Sequence, residues 1–178
     1  MKILSTCFLS LWLFAAPTAF AQNTQSYPVG AGLKIELPQD FVFTSHPVPP
    51  SLPGVTQIFI SGPGIKVSIF GIAGQTPLMR EEQVKEGVFN DARRYLPLSA
   101  ESAPSYKDWS GSGRVGAYVT LVSKTGEPVF DEVPEIKSIY LTMGWISTRN
   151  GSLKIAIASD TIESSAFAKL MAAIAELH

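Results

Sequence analysis

The chain has 178 residues, with 14 basic and 15 acidic side chains and a formal charge of −1. That balance gives no electrostatic footprint for nucleic acid or for an anionic lipid surface. Two histidines and one cysteine leave little material for metal binding or nucleophilic chemistry.

Met1 and Lys2 precede an apolar run, Ile3 to Ala16, which ends in Pro17 and the small-x-small sequence Ala19-Phe20-Ala21. A short basic start, an apolar core too short to span a bilayer and an A-x-A site describe a secretory signal over residues 1–21, cleaved after Ala21. The alternative, an uncleaved anchor, is disfavoured by the shortness of the run. Cleavage removes Cys7, the only cysteine, so a core rather than a disulfide must stabilise the exported chain. It also removes Lys2, which leaves 13 basic against 15 acidic side chains. The expected location is periplasmic or secreted, with no stable membrane span after cleavage.

Residues 22–178 make one globular domain, without repeats or long charge runs. Gln22 to Ser26 is polar and expected to fray. Leu33, Ile35 and Leu37 alternate before Pro38, and Phe41 to Thr44 resumes as extended chain, which together predict a small hairpin laid against the main sheet. His46 to Gly54, HPVPPSLPG, has four prolines that lack amide donors and fix φ, so it is neither helix nor sheet interior. It is a stiff connector or an extended surface offered to a partner. Val55 to Ser61 and Ile65 to Ile72 read as a second hairpin, turning at Ser61-Gly62-Pro63-Gly64.

Thr76-Pro77 predicts a helix start, with Thr as cap and Pro in the first helical position. Val84, Val88, Ala92 and Tyr95 form its apolar stripe, which ends before Pro97, and Gly87 is a weak point. Pro97 to Gly113 is irregular, with Tyr106 and Trp109 embedded. Arg114 to Ser123 alternates as a strand, and Lys124 to Pro128 turns into an acidic segment.

The last quarter organises the whole. IYLTMGWISTR and SLKIAIAS flank Asn150-Gly151, a pair suited to a two-residue hairpin turn. With that turn Ile146 faces Ile155 and Gly144 faces Ile157. One face carries Tyr140, Thr142, Gly144 and Ile146 with Leu153, Ile155 and Ile157; the other carries Leu141, Met143 and Trp145 with Lys154, Ala156 and Ala158. Both faces are substantially apolar, so the hairpin belongs in the middle of a sheet covered on both sides. Asp160 with Glu163 resembles a capping box, and Ile162, Ala166, Leu170, Ala173, Ile174 and Leu177 recur at helical spacing. This C-terminal helix should pack on the sheet.

The chemistry is mostly exclusion. His46 lies in the proline loop and His178 is the last residue, so neither sits on the rigid element that a catalytic base needs. Gly111-Ser112-Gly113-Arg114-Val115-Gly116 spells G-x-G-x-x-G, but a loop leads into a strand there, not a strand into a helix, so the dinucleotide reading fails. The glycines permit a bend or bulge instead. Glu127, Asp131, Glu132 and Glu135 cluster without EF-hand spacing and read chiefly as a solvated loop, with a cation site or a contact for a basic partner as alternatives. Asn150-Gly151-Ser152 is a glycosylation triplet in a tight turn, where no glycan is expected. No catalytic, cofactor-binding or metal-binding residue is assigned. Tyr106, Trp109 and Trp145 are core or loop anchors or, alternatively, ligand contacts.

The predicted fold is α+β, an antiparallel twisted sheet with helices packed on its faces, including a C-terminal helix. With the opening Gly32, Leu33, Ile35, Leu37, Pro38 and Phe41 and the closing strand and apolar helix, this pattern resembles the Mog/PsbP-like α/β/α sandwich group. The group includes the photosystem II subunit PsbP, the Ran-binding nuclear-import protein Mog and the envelope protein DcrB. The resemblance implies a non-enzymatic accessory protein that binds a partner, here an envelope protein. A small-molecule or lipid-binding module is the alternative, and an enzyme built on carboxylates and Arg the third. The expected interaction surface is Val48, Leu52 and Val55 in and beside the proline loop, or Tyr106 and Trp109 in the later loop.

Overall fold

The computed structural model describes residues 24–46, 48, 51–74, 77–134 and 136–178. The expected signal sequence, the expected cap Thr76 and the acidic Glu135 lie outside them. The elements in chain order are β1 (Thr24–Gly30), β2 (Leu33–Pro38), β3 (Val42–His46), β4 (Val55–Gly62), β5 (Ile65–Ala73), α1 (Glu81–Ala92), a 3-10 turn (Leu96–Leu98), β6 (Lys107–Asp108), β7 (Arg114–Val122), β8 (Tyr140–Thr148), β9 (Gly151–Ser159) and α2 (Ser165–Ala175). Seven strands form one antiparallel sheet in the order β3-β4-β5-β9-β8-β7-β6, and β1 pairs with β2 in a separate ribbon.

The β8-β9 hairpin lies near the centre of the sheet, between β7 and β5, as its two apolar faces require. Its register differs from the expectation by two residues. Thr148 pairs with Gly151, so Arg149 and Asn150 form the turn and Ile146 faces Leu153. The cause is the buried Thr148 hydroxyl, which accepts from the Asn150 N–H at 3.1 Å and lies 3.2 Å from the Gly151 carbonyl and 3.3 Å from that of Ala31. Gly151 takes the paired position at φ 140°, where a Cβ would collide with the Ile72 carbonyl of the next strand. The displacement is even, so every side chain keeps its predicted face.

One face of the sheet carries Ile146, Leu153, Ile155 and Ile157 with Ile58, Ile60, Ile65, Val67 and Ile69. It is covered by α2 and the β1-β2 ribbon, through Ala166, Phe167, Leu170, Ile174, Val29, Ile35 and Leu37. Each large side chain fully buried there contributes about 1.5–3 kcal/mol. This is the main core.

The other face is covered over β7 and β8 by α1, the 3-10 turn and the segment 127–139. Val88, Ala92, Tyr95 and Phe130 pack on Val119, Leu121, Leu141 and Met143, while Val133 meets Ala156 and Ala158 of β9.

Several local expectations are corrected. Thr24 to Ser26 does not fray, because it pairs with Glu36 to Pro38. The ribbon on the sheet is therefore β1-β2, and the segment after Phe41 joins the main sheet as its edge strand, β3. Helix α1 starts four residues beyond Pro77. Residues 77–80 stay extended, with the Met79 N–H donating to Ser147 Oγ at 3.1 Å, and Gln83 Oε1 accepts from the Arg80 N–H at 3.0 Å to close the first turn. Helix α2 is capped by Ser164, whose Oγ accepts from the Phe167 N–H at 3.1 Å, so Asp160 and Ile162 precede the helix. The segment 97–113 is pinned to β7 by a bond from the Ala100 N–H to the Val122 carbonyl, 2.8 Å, and by the short strand β6.

Candidate functional site

Helix α1 and the connection 127–139 between β7 and β8 cover only half of their face, because they reach from β7 to β9 and stop. Beyond β9 the outward residues of three strands lie open. They form rungs across the sheet, His46-Gln57-Phe70 and Thr44-Phe59-Ser68, with Val55-Ile72 at one end and Val42-Ser61-Lys66 at the other. None is buried; Ile72 is 48% exposed and Val42 64%. On the same strands the inward residues Ile58, Ile60, Val67 and Ile69 are at most 2% exposed. An open face with this aromatic and aliphatic content is unlike a solvated sheet surface, which alternates to polar residues.

The tip of the connection between β7 and β8, Val133-Pro134, divides the open face into two clefts. The larger, about 450 Å³, lies between Phe70, Ile72, Trp145 and Pro134, with Gln57, Ser68, Glu132, Ser152 and Lys154 as its polar groups. The smaller, about 390 Å³, lies between Phe59, His46, Thr44, Lys66 and Pro134. The His46 ring meets Phe59 edge-on, 4.7 Å between centroids. Both volumes are within the range of small-ligand pockets.

A line of alternating charges walls the larger cleft. Asp91 of α1 accepts from the Trp145 indole N–H at 2.6 Å and from Lys154 Nζ at 2.9 Å, and Lys154 stands 4.0 Å from Glu132. Glu132 in turn pairs with Arg94 and lies 2.9 Å from the Tyr95 hydroxyl, which is 3.2 Å from Asp131. Burial pushes the Tyr95 phenol up, so it remains a donor at neutral pH. Asp91 and Glu132 each face a cation, and Asp131 meets the Tyr95 hydroxyl. The line braces α1 and the acidic segment against β8 and β9. Among the described residues no group of three His, Cys, Asp or Glu could hold a metal ion. Asp108 and Arg114 lie elsewhere, the first on the edge strand β6 and the second buried on β7.

The residues expected at an interaction surface are dispersed. Val55 is half-buried on the open face, opposite Ile72, while Leu52 is 50% exposed in the adjoining loop and Val48 is half-buried. Tyr106 is half-buried beside α1, with Lys85 Nζ 5.9 Å from its ring centre. Trp109 is a core residue, 3% exposed, and offers no contact surface. Its ring stacks on Tyr118 at 4.4 Å and lies over Gly144, where a Cβ would overlap the indole. Gly116, the last glycine of the G-x-G-x-x-G string, accepts the Trp109 backbone in the same way, a space-making role with no phosphate involved. Phe59, Phe70 and Ile72 were not singled out from the sequence, although their signal was present. Both hairpin strands carry large apolar residues at alternate outward positions, with only one helix before the last strands to cover them.

The chain matches no protein-family model and no curated protein sequence. Its structure is similar to the solution structure of cyanobacterial PsbP (CyanoP) from Synechocystis sp. PCC 6803, with a TM-score of 0.52 at 11% identity, over 93% of this chain and 98% of that one. Among the described residues no helix is long and apolar enough to cross a membrane. The chain therefore has the PsbP-like fold, a mixed α+β sandwich with a C-terminal helix.

Proposed function

We propose that this is an exported accessory protein of the cell envelope that acts by binding another protein through the open half of its sheet. The observation that carries this reading is the uncovered apolar face of β3, β4 and β5, where Val42, Val55, Phe59, Phe70 and Ile72 remain in contact with water. Leaving them exposed forgoes stabilisation of about 25 cal/mol per Å², which a partner that covers them recovers. The N-terminal sequence supports export, and the pairing of Asp91 and Glu132 with Lys154 and Arg94 beside the cleft supports a binding role.

The test is affinity capture of the tagged protein from the envelope of its own organism, comparing wild type with a Phe59→Asp/Ile72→Asp double variant. A stoichiometric protein lost from the variant supports the proposal. Retention of the same partner by a folded variant sinks it. A second reading, a small-molecule or lipid-binding module, rests on the cleft of about 450 Å³. Lipid or small molecule co-purifying with wild type, and absent from the variant, selects that reading.

A further inference from the structure

We infer that the protein pairs with a second copy of itself along the outer edge of β3, in antiparallel register centred on Thr44. The two ends of the seven-stranded sheet are treated differently. At one end β6 is only two residues long and both are charged, Lys107 and Asp108. Short, charged edges are how sheets block further pairing.

At the other end β3 has none of these devices. Its five residues, Val42, Phe43, Thr44, Ser45 and His46, pair with β4 in unbroken register, with no bulge, proline, lysine or carboxylate among them. Alternate N–H and C=O groups of an edge strand point away from its neighbour, and among the described residues no strand receives those of β3. Val42, on this edge, is the most exposed large apolar side chain of the described residues at 64%. The edge is built to accept a strand.

The edge is also its own complement. Antiparallel pairing about Thr44 sets Thr44 against its counterpart, Phe43 against Ser45 and Val42 against His46, with no like charges opposed at neutral pH. The two-fold axis then stands perpendicular to the sheet, so both open faces point the same way. The two open halves become one apolar surface six strands wide, and Val42 gains His46 of the second copy as a cross-strand neighbour. This pairing goes beyond the proposed partner binding, and neither requires the other.

The experiment uses the full chain with Cys7→Ser, so that an introduced cysteine is the sole thiol. Thr44→Cys places two sulfurs across the two-fold axis, where facing Cα atoms are about 4.5–5.5 Å apart, within disulfide reach. Val42→Cys leaves the two thiols offset by four residues, about 13 Å along the strand. Under copper–phenanthroline oxidation, position 44 should give a disulfide-linked dimer and position 42 should not. Separately, Thr44→Lys should weaken association about tenfold or more, by opposing two like charges, with a thermal midpoint unchanged at concentrations where the wild type is monomeric. Val42→Lys combined with His46→Glu, which opposes unlike charges in this register, should associate at least as well as wild type. Equal crosslinking at 42 and 44, no crosslinking at 44, or Thr44→Lys associating like wild type would overturn the proposal.

Discussion

Arg114 of β7 donates from its guanidinium to the main-chain carbonyl of Leu177, and from its second terminal nitrogen to that of Ala175, the last residue of α2. The side chain is only 8% exposed, and its burial lowers the guanidinium below its usual pKa without making it neutral near pH 7. The carbonyl end of a helix carries partial negative charge, so this cation satisfies the orphan acceptors and the helix dipole together. Beside it the chain terminus is stitched to β2, with the Lys34 N–H donating to the His178 carbonyl at 2.7 Å.

Arg114→Met is therefore expected to destabilise the fold by about 2–3 kcal/mol, the range for hydrogen bonds to a charged group. Urea unfolding checks the size, and hydrogen exchange should show the last turn of α2 losing protection before the sheet does. An unchanged midpoint would mean that the apolar stripe alone holds α2.

Gly87 inverts a rule of helix propensity. In an exposed helix Gly→Ala adds about 1 kcal/mol of stability. Here a Cβ would stand 3.0 Å from two carbons of the Trp145 indole, which Asp91 holds in place through its N–H. Gly87→Ala should lower stability by about 1 kcal/mol or more, and Gly87→Ala combined with Trp145→Leu should recover part of the loss. Thermal unfolding of the two variants decides the sign.

Glu101 fastens the segment 97–113 to the sheet. Burial pushes its carboxyl up, but the Ser99 hydroxyl and the backbone N–H groups of Val122 and of Glu101 itself outweigh that and hold it below the ordinary carboxylate range. A carboxylate lowered on folding stabilises above its unfolded pKa and loses that contribution as pH falls through the folded value. Glu101→Gln should cost about 1 kcal/mol near pH 7, and the difference from wild type should shrink below about pH 4, the ordinary carboxylate range. Paired denaturation curves at the two pH values measure it. A gap of constant size would mean that the charge is not what the hydrogen bonds favour.

The proposed export through residues 1–21 makes a prediction of its own. The protein recovered from the producing cells should begin at Gln22 and lack Cys7. Intact mass and N-terminal sequencing check both, and an intact Met1 in the recovered protein would restore the anchor reading.

The elements most legible in the sequence were those in which periodicity and turn chemistry agree. Alternation in Leu141 to Trp145 and Leu153 to Ala158 fixed which side chains share a face, because a displacement of two residues does not change it. It did not fix the pairing partner, which the buried Thr148 hydroxyl decides through a contact with Ala31, 117 residues away in sequence. Helix starts were displaced for a similar reason. Thr76-Pro77 and Asp160 are sound local signals, but Ser147 holds the chain before α1 extended and Ser164 caps α2 more closely. Trp109 read as a core or loop anchor or a ligand contact, and nothing local could choose the core, because Gly116 and Gly144, which make room for it, are far apart in the chain and meet only on adjacent strands. The open face was the least legible feature. Whether Phe59 and Phe70 are covered depends on how far α1 and the connection between β7 and β8 reach across the sheet, which is a tertiary quantity.

The most direct measurement of partner binding is site-specific photo-crosslinking in intact cells, with a photoreactive amino acid at Phe59, at Ile72 or at Ala172. The first two lie on the open face, and Ala172 is exposed on α2 across the sheet. Binding through the open half-sheet predicts one envelope protein crosslinked from 59 and 72 and not from 172. Crosslinking from 172 alone, or none from the open face while the protein is abundant in the envelope, would contradict it.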